Sequence, residues 1–350
     1  MQRALALAAN GKGLVEPNPM VGAVVLSANG EVIGEGWHER FGEPHAEVNA
    51  FAGASAAASG GTLYVTLEPC CHHGKTPPCT DAVLRSGVRR VVVAMTDPFP
   101  KVAGDGLAIL RAAGLEVLDG VCEAEAKRLN APYLHRLHTG RPWVIAKWAM
   151  SLDGKIATRT GESQWISSAE SRKRVHDLRG RVDAILVGRG TVVADDPLLT
   201  ARPTRLRTAT RVIISSSGDL PSDSQLRRTA RETPTLVYTS LAGAARLTGW
   251  VTDGVEVIAT AITIEHILLD LGQRGFTNVL VEGGAGLLGS FHDADRIDEV
   301  QIYIAPLLIG NRTAPSPVAG LGIEHLSAKF NFNDVHIETI GADMLIVARK

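Results

Sequence analysis

Short apolar runs that alternate with helical stretches are the feature that most constrains the fold of this sequence. The runs last roughly five to eight residues, as in TLYVTL at 62–67 and RRVVVAM at 89–95, and turn-forming residues follow them. Strands that alternate with helices of about 10–15 residues imply a largely parallel sheet with helices on both faces. Such a sheet binds ligands at the carboxyl ends of its strands. The sequence therefore predicts an α/β architecture.

The alternation pauses near residue 139 and then starts again. The stretch EAEAKRLNAPYLHRLHTGRP at 123–142 predicts a connecting helix that Gly140 and Pro142 close, and the strand WVIAKWAM follows it. A chain of 350 residues also exceeds the usual size of one compact domain. We therefore expect two α/β domains, at 1–139 and 140–350.

Each domain has its own series of predicted elements. In the first, MQRALALAANGKG predicts an amphipathic helix, VGAVVLSANGEVIGEGW a hairpin around Asn29 and Gly30, and a further helix runs from His45 to about Ala58. A final strand, LEVL, closes that domain. The second domain has predicted strands at DAILVG, RVIISS, TLVYT, VEVI, NVLVEGG and VQIYIAPLLIG, then a terminal pair, VHIETI and MLIVARK.

Charge and hydropathy exclude several classes of protein. The formal net charge of -1 offers no electrostatic reason to bind nucleic acid or a membrane surface. No apolar run reaches the length of about 20 residues that a transmembrane helix needs. We therefore expect a soluble, cytoplasmic protein with no nucleic-acid partner and no membrane partner.

The four cysteines are too few for a disulfide framework in a chain of this length. Cys70, Cys71 and Cys79 crowd together, which is typical of a metal site. Cys122 stands alone on a helical stretch, and it is interpreted as a small buried apolar residue without a functional role.

Two short motifs together predict a catalytic zinc site. His45-Ala46-Glu47 lies at the start of a predicted helix, and Cys70 follows the strand TLYVTL. A catalytic zinc takes three histidine or thiolate ligands and leaves the fourth position for a water whose pKa falls to about 7. A carboxylate two residues after the ligating histidine can move that water's proton. An H-x-E motif with a later P-C-x-x-C is the pattern of zinc nucleobase deaminases, which indicates His45, Cys70 and Cys79 as ligands and Glu47 as the proton-transfer group.

The spacing leaves alternative ligands to weigh. Cys79 follows Cys70 by nine positions rather than three, and Cys71 is a competing thiolate. His72 and His73 are further potential ligands. A closed shell of four ligands would make the zinc structural and leave no position for water.

Several longer stretches carry a resemblance to a known family. They are Pro17-Asn18-Pro19 with VGAVV, then PHAE, then TLEPC followed by HHGKTPPC, and later DPFPKVAGDG. Over nearly its whole length the chain resembles the bifunctional deaminase–reductases of riboflavin biosynthesis, in which the long cysteine spacing also occurs. The resemblance implies a cytidine-deaminase-like first domain with zinc bound by His45, Cys70 and Cys79. It would hydrolyse the amino group of 2,5-diamino-6-(5-phosphoribosylamino)pyrimidin-4-one, a small-molecule phosphoribosylamino-pyrimidine.

By the same resemblance, Asn18, Lys75 and Asp97 would hold that substrate. The chain departs from the family pattern at Phe99, because the family usually has DPNP where this sequence has DPFP. An aromatic ring there replaces an amide that could bond the ribose or the phosphate, whereas the zinc chemistry does not depend on this position.

The second domain resembles the reductase half of the same family, which is similar to dihydrofolate reductase in fold. The stretches are KWAMSLDGKIA, SQWIS, DAILVGRGTVVADDPLLTAR and VEGGAGLLGSF. The glycines of VEGGAG follow an apolar strand and open a helix, so backbone amides there are placed to receive a cofactor phosphate. The resemblance implies NADPH as the cofactor and reduction of the ribosylamino side chain to ribitylamino.

Two sets of residues in the second domain match functional positions of the family. The substrate set is Lys147, Ser163, Arg179, Leu198, Arg202 and Glu282. The NADPH set is Ala149, Trp165, Thr191, Asp195, Ser216, Gly284, Ala285, Gly286, Leu287, Leu288, Gly289 and Ser290. Asp195 and Asp196 are equally typical of a turn before Pro197.

Other functions compete with this interpretation. A nucleic-acid-editing deaminase shares the metal chemistry, but it needs a basic channel for the strand, which the net charge of -1 argues against. For the second domain, the alternative is a non-catalytic module that senses nucleotides and regulates the deaminase. The resemblance further implies a homo-oligomer.

Overall fold

The computed structural model describes residues 1–203, 207–328 and 331–350, without the side chains at 55, 56 and 328. It divides into two compact units, Met1–Gly140 and Arg141–Lys350. Within the described residues, the first unit contains a five-stranded sheet and the second a nine-stranded sheet. None of the described helices combines the length and the apolar character of a membrane span.

The first unit places six α-helices around its sheet. The helices are α1 Gln2–Ala8, α2 Ala46–Ala54, α3 Cys79–Ser86, α4 Asp105–Ala112, α5 Glu123–Leu129 and α6 Ala131–Thr139, with short 3-10 helices at Ala9–Gly11 and Ser55–Ala58. The strands are β1 Gly22–Leu26, β2 Val32–Trp37, β3 Thr62–Val65, β4 Arg90–Val93 and β5 Glu116–Leu118.

The strand order of this sheet is β2-β1-β3-β4-β5. The strands β3, β4 and β5 are parallel, but β1 pairs antiparallel with both β2 and β3. The expectation of a largely parallel sheet is therefore wrong at β1. The cause is the predicted hairpin, which reverses the chain at Gly30 in a left-handed conformation with φ of 86°.

Helices cover both faces of the first sheet. One face packs against α2, α3 and α4 through apolar side chains that include Ala50, Val83 and Leu107. The other face packs against α1, α5 and α6, and at Gly22 the approach is so close that a Cβ would lie 2.0 Å from the Ala4 carbonyl oxygen. The layered arrangement brings the N-termini of α2 and α3 to the carboxyl end of β3.

The predicted connecting helix is broken into α5 and α6. The break falls at Asn130, whose buried amide donates to the Met20 carbonyl at 2.9 Å and accepts from the Met20 N–H at 2.8 Å. Pro132 lies in the first turn of α6, where its missing N–H costs nothing, whereas a continuous helix would need that donor. Gly140 ends α6 in a left-handed conformation, as the sequence predicts.

The second unit contains the nine predicted strands among its described residues. The strands are β6 Trp143–Ser151, β7 Ala184–Gly188, β8 Thr210–Ile214, β9 Thr235–Thr239, β10 Glu256–Ala259, β11 Asn278–Val281, β12 Glu299–Ala305, β13 Asp334–Ile340 and β14 Asp343–Arg349. The helices are α7 Ala169–Arg179, α8 Arg189–Asp195, α9 Gln225–Arg228, α10 Leu241–Ala244, α11 Thr248–Thr252, α12 Ile264–Gln273 and α13 Ala285–Asp293, and a 3-10 helix spans Leu326–Ala328.

The order of this sheet is β10-β9-β8-β7-β11-β6-β12-β14-β13. The first seven strands in that order run parallel, and β14 and β13 form an antiparallel edge. The central strands are buried on both faces, which explains their continuous apolar runs. Leu271 of α12 and Phe291 of α13 are fully buried against them. The carboxyl ends of β6, β7 and β11 therefore meet at one edge of the sheet.

Candidate active sites

A cavity of about 410 Å³ lies in the first unit, where the predicted metal ligands meet. His45 precedes α2 and Glu47 lies in the first turn of that helix, while Cys70 follows β3 and Cys79 begins α3. A strand end and two helix starts thus bring together residues that are up to 34 positions apart. Because all three elements pack in the core, the ligand positions are set by the fold rather than by a loose loop.

The three predicted ligands lie close enough to bind one ion. Nδ1 of His45 lies 3.2 Å from Sγ of Cys79 and 3.5 Å from Sγ of Cys70, and the three ligand atoms lie within 4.8 Å of one another. Ligands bound tetrahedrally to zinc at about 2.0–2.3 Å are about 3.5 Å apart. The donor set, one imidazole nitrogen and two sulfurs, therefore fits zinc in chemistry and in spacing.

Cys71 does not compete for this position. Its Sγ lies 3.7 Å from the Lys101 carbonyl oxygen, and neither it nor His72 nor His73 belongs to the ligand group. The ring of His72 instead packs near Phe99, with 5.9 Å between ring centroids. The set of three ligands leaves a position for water, as a catalytic site requires.

Glu47 is placed as the proton-transfer group. Its side chain is 2% exposed, and its Oε2 has no hydrogen-bond partner among the described residues. Burial raises the pKa of the Glu47 carboxyl to about 7. Hydrogen bonds from Cys79 and His45 hold the pKa of the Cys70 thiol well below its usual value. The cluster thus combines a thiolate with a buried carboxyl that has an unused oxygen.

The predicted substrate residues of the first unit also line this cavity. Nδ2 of Asn18 lies 3.4 Å from Nε2 of His38, and Nζ of Lys75 lies 4.0 Å from the ring centroid of Phe41. Asp97 is buried, and its Oδ1 accepts hydrogen bonds from the Phe99 N–H and the Tyr133 hydroxyl. The structure therefore brings Asn18, Lys75 and Asp97 to one cavity, and their roles stay predictions.

Three further residues of this cavity were missed in the sequence. Glu68 accepts from three backbone N–H groups, and Tyr133 and Arg136 reach the cavity from α6. The hydroxyl of Tyr133 donates to Oδ1 of Asp97 at 2.9 Å. Tyr133 and Arg136 are three positions apart on a helix, which places them on one face. This spacing was visible in the sequence, but the segment was interpreted only as a connecting helix.

A second cavity, of about 510 Å³, lies in the second unit at the carboxyl ends of β6, β7 and β11. It is formed where the strands end and α8 and α13 begin, the usual ligand position in such sheets. The predicted residues that line it are Lys147, Ala149, Ser163, Thr191, Asp195, Glu282, Gly284, Ala285, Gly286, Leu287 and Leu288.

The carboxylate of Glu282 in this cavity is already paired. Arg179 donates to both carboxylate oxygens of Glu282, at 2.7 and 2.8 Å. Burial raises the pKa of the Glu282 carboxyl, but the Arg179 charge and its hydrogen bonds outweigh burial and lower that pKa to about 2. Burial lowers the pKa of the Lys147 ammonium, and the Glu282 charge opposes that shift. Glu282 is therefore held as a carboxylate.

The other predicted residues of the second unit do not line this cavity. The residues outside it are Trp165, Arg179, Leu198, Arg202, Ser216, Gly289 and Ser290. The Trp165 ring is 68% exposed and stacks on the Arg172 guanidinium at 4.5 Å. At Gly289, a Cβ would lie 1.9 Å from the Ala319 carbonyl oxygen. Gly289 is thus a close-packing position in this structure.

The glycine-rich turn before α13 leaves open space beside its backbone. A Cβ at Gly286 would meet nothing within 4 Å, and one at Gly284 would meet only Oγ1 of Thr191, at 3.9 Å. The Gly284 N–H donates to that same hydroxyl at 3.2 Å. A helix start beside open space fits a cofactor phosphate.

Comparisons with known proteins identify the family. The model of the cytidine and deoxycytidylate deaminase zinc-binding region matches residues 1–95, and that of the RibD C-terminal domain matches residues 142–346. The chain belongs to the RibD family. The riboflavin biosynthesis protein RibD of Aquifex aeolicus is 42% identical over 355 residues, covering 100% of this chain and 97% of the relative. That of Escherichia coli is 40% identical over 366 residues, covering 99% and 97%.

Solved structures agree with this membership in the RibD family. Acinetobacter baumannii RibD superposes with a TM-score of 0.88 at 35% identity, covering 99% of this chain and 97% of that one. A deaminase/reductase from Thermotoga maritima gives 0.89 at 38% identity, covering 100% and 97%. The predicted fold class is confirmed: a cytidine-deaminase-like α/β unit precedes a dihydrofolate-reductase-like α/β unit.

Proposed function

We propose that residues 1–139 carry the deaminase activity of this bifunctional riboflavin-biosynthesis enzyme and that residues 140–350 carry its reductase activity. The zinc-binding family match and the His45–Cys70–Cys79 group support Zn²⁺ in the first unit, and the reductase match supports NADPH in the second. The observation that carries the assignment is the ligand group beside Glu47 in one cavity.

The first unit would deaminate 2,5-diamino-6-(5-phosphoribosylamino)pyrimidin-4-one and release ammonia. Zinc, when bound by His45, Cys70 and Cys79, supplies a water whose pKa falls to about 7. The unpartnered Oε2 of Glu47 would take one proton from that water and pass it to the ring nitrogen, and Glu47 would then carry the second proton, from the new hydroxyl group, to the leaving amine. Asn18, Lys75 and Asp97 hold the substrate in the same cavity.

The second unit would reduce the ribosylamino side chain of the deaminated product to ribitylamino. NADPH would supply the hydride when bound, and the backbone at 284–288 would hold its phosphates. Lys147 and Glu282 orient the substrate, because both line the cavity and Arg179 fixes the Glu282 carboxylate in one orientation. Ser163, Leu198 and Arg202 complete the proposed substrate set. Ala149, Trp165, Thr191, Asp195 and Ser216 complete the proposed NADPH set.

We further propose a cytoplasmic homo-oligomer that binds neither nucleic acid nor membrane. The four cysteines are all free, as suits a reducing compartment. The edge strand β13 exposes Val335 and Ile337, which are 54% and 57% exposed, and an apolar edge of this kind favours pairing with a second chain. Sedimentation equilibrium of the purified chain tests this proposal, and a monomer at all concentrations contradicts it.

A two-part assay tests the proposed function. The zinc-loaded chain is given the diaminopyrimidine substrate, and ammonia release and NADPH oxidation are followed separately. We expect the chain to release ammonia even when NADPH is absent, and to oxidise NADPH only after ammonia has been released. Oxidation of NADPH that precedes ammonia release, or no ammonia at all, contradicts the proposed sequence of activities.

A further inference from the structure

Helix α6 forms part of the wall of the first cavity, although its sequence reads as a connector. Tyr133, Arg136 and Leu137 all line the cavity, and their spacing puts them on one face of the helix. Leu137 and Tyr133 supply apolar wall, whereas Arg136 brings a permanent positive charge to a space that also holds the metal ligands. A charge at this place needs an explanation.

The guanidinium of Arg136 makes no hydrogen bond and no ion pair with the described residues, although the side chain is half-buried and its charge acts on the Tyr133 hydroxyl. Several other partly buried arginines of the chain have carboxylate partners, as Arg179 has Glu282 and Arg141 has Glu265. A half-buried guanidinium without such a protein partner keeps its five donors for solvent or for a ligand that accepts from them.

Two carboxylates of the cavity wall are already occupied by other donors. Glu68 accepts from the N–H groups of Asp97, Gly104 and Leu107 at 3.0, 3.0 and 3.1 Å. Asp97 accepts hydrogen bonds from the Phe99 N–H at 3.0 Å and from the Tyr133 hydroxyl at 2.9 Å. Neither carboxylate pairs with Arg136. The ring of Phe99 itself offers no hydrogen bond to a substrate.

The other carboxylates lie elsewhere in the cavity. Glu47 is buried at the metal ligands, and the charge of Glu43 acts on the His38 ring. Lys75, the second cation of the wall, contacts the ring of Phe41. Arg136 and Lys75 thus remain available to an anion with several oxygens.

We propose that Arg136 binds the phosphate of the deaminase substrate and sets the preference of this site for phosphorylated pyrimidines. The inference rests on the proposed function, which supplies a substrate with one phosphate. The planar guanidinium presents two parallel N–H donors, a geometry that matches two phosphate oxygens and that a lysine ammonium lacks. The amino group that is lost lies at the other end of the substrate, toward Glu47.

The test compares two substrates in the wild-type chain, Arg136→Met and Arg136→Lys. One substrate is the phosphoribosylamino-pyrimidine and the other is the same compound with its phosphate removed. We expect Arg136→Met to raise KM for the phosphorylated substrate about 10- to 100-fold, the usual effect of losing a charge-assisted hydrogen bond. KM for the dephosphorylated substrate should be the same in variant and wild type. Arg136→Lys should fall between them.

Ribose 5-phosphate provides a second readout. It should inhibit deamination of the dephosphorylated substrate competitively in the wild-type chain, and at least tenfold more weakly in Arg136→Met. Arg89→Met is the matched control, because Arg89 is exposed just before β4 and lies outside the cavity lining. Zinc content and NADPH oxidation on the deaminated substrate report whether each variant is folded.

The possible failures are distinguishable. A wild-type chain that releases no ammonia from the phosphorylated substrate overturns the proposed function and this inference with it. An active wild type with equal KM losses on both substrates in Arg136→Met shows that Arg136 stacks on the ring or supports the wall, which overturns the inference alone. Unchanged KM values and unchanged inhibition by ribose 5-phosphate overturn it as well.

Discussion

The two cavities hold their functional groups by different means. In the first, side chains converge: three ligand atoms lie within 4.8 Å of one another, and the buried Glu47 lies beside them. In the second, the wall beside Gly284 and Gly286 is backbone, and the carboxylate of Glu282 is already paired. A side-chain site depends on the identity of single residues, whereas a backbone site depends on the space that glycines leave.

The comparison predicts that single substitutions are most severe in the first cavity. The largest effect is expected at a metal ligand: Cys79→Ala should lose most of its zinc and nearly all deamination, because two ligands hold the ion poorly. Cys71→Ser is the matched control, since its Sγ lies near the Lys101 carbonyl oxygen and should leave zinc and activity intact. Metal analysis and the rate of ammonia release distinguish the two variants. A zinc-free Cys71→Ser chain would show that the neighbouring thiol is the ligand.

The second largest effect is expected for Glu47→Gln. The amide cannot accept the water proton, so deamination should fall at least 10²- to 10⁴-fold, the usual contribution of general acid–base catalysis. Zinc should stay near stoichiometric, because Glu47 is not among the three ligands. NADPH oxidation on the deaminated substrate is the internal control. A variant that deaminates at the wild-type rate, or that loses zinc, contradicts the role given to Glu47.

In the second cavity we expect a large effect on the reductase activity when either Glu282 or Lys147 is replaced. Glu282→Gln or Lys147→Ala should lower NADPH oxidation roughly 10²-fold or more, since misplacing the reacting groups by about 1 Å costs that much. Ammonia release should continue close to the wild-type rate, because both residues lie in the second unit. Loss of ammonia release in a folded, zinc-loaded variant would break the division of activities between the two units.

The ion pair of Arg179 and Glu282 predicts that the stability of the folded chain depends on pH. The Glu282 carboxyl has a pKa of about 2 in the folded chain and 4.5 as its ordinary value. A lowered pKa stabilises the folded state above pH 4.5, and that contribution is lost as pH falls from 4.5 toward 2. Denaturant unfolding of wild type and Glu282→Gln should therefore differ by about 3 kcal/mol at pH 7 and converge in acid. A constant difference across this range contradicts the assignment.

The first site was predictable from the sequence because each of its metal ligands lies in a short local motif. The end of β3 and the starts of α2 and α3 fix the ligand positions, so the local patterns HAE, EPC and a further PC together predicted them. The contribution of α6 was not predictable in the same way, because Tyr133 and Arg136 reach the cavity through packing of the whole unit. The antiparallel pairing of β1 with β3 was missed, because a predicted hairpin leaves open which of its strands joins the rest of the sheet and in which direction.

The second site was less predictable, because its residues come from several loops. Gly284 and Gly286 lie in the turn and first helical turn beside the cavity, whereas Gly289 lies farther along α13 and packs on Ala319. Position in a motif does not reveal which glycine leaves space for a ligand and which allows close packing. That distinction depends on tertiary contacts.

A pair of glycine variants sharpens this distinction, with moderate effects. Gly286→Ala should leave the free energy of unfolding within about 1 kcal/mol, since its Cβ meets open space. It should raise KM for NADPH about tenfold if the cofactor occupies that space. Gly289→Ala should instead destabilise the second unit by about 3 kcal/mol, because its Cβ would lie 1.9 Å from the Ala319 oxygen. The opposite pattern would place the cofactor at Gly289.

The smallest effect tests whether the first cavity depends on side-chain orientation as well as on identity. Tyr133 donates to Oδ1 of Asp97 at 2.9 Å, and Tyr133→Phe removes that hydrogen bond while keeping the ring in the wall. Losing one hydrogen bond to a proposed substrate residue should raise KM for deamination about three- to tenfold, with little change in kcat. Tyr64→Phe, on β3 and outside the cavity lining, is the matched control.

The pH profile separates orientation of Asp97 from support of the wall. Burial raises the pKa of the Asp97 carboxyl, and the Phe99 N–H and the Tyr133 hydroxyl oppose that shift. Removing the hydroxyl takes away a donor that stabilises the carboxylate, so the pKa of Asp97 should rise further. The increase in KM at low pH should then begin at a higher pH in Tyr133→Phe than in the wild type. An identical pH profile with a raised KM would mean that Tyr133 acts through packing, and that in this cavity too a side chain serves mainly to shape the space.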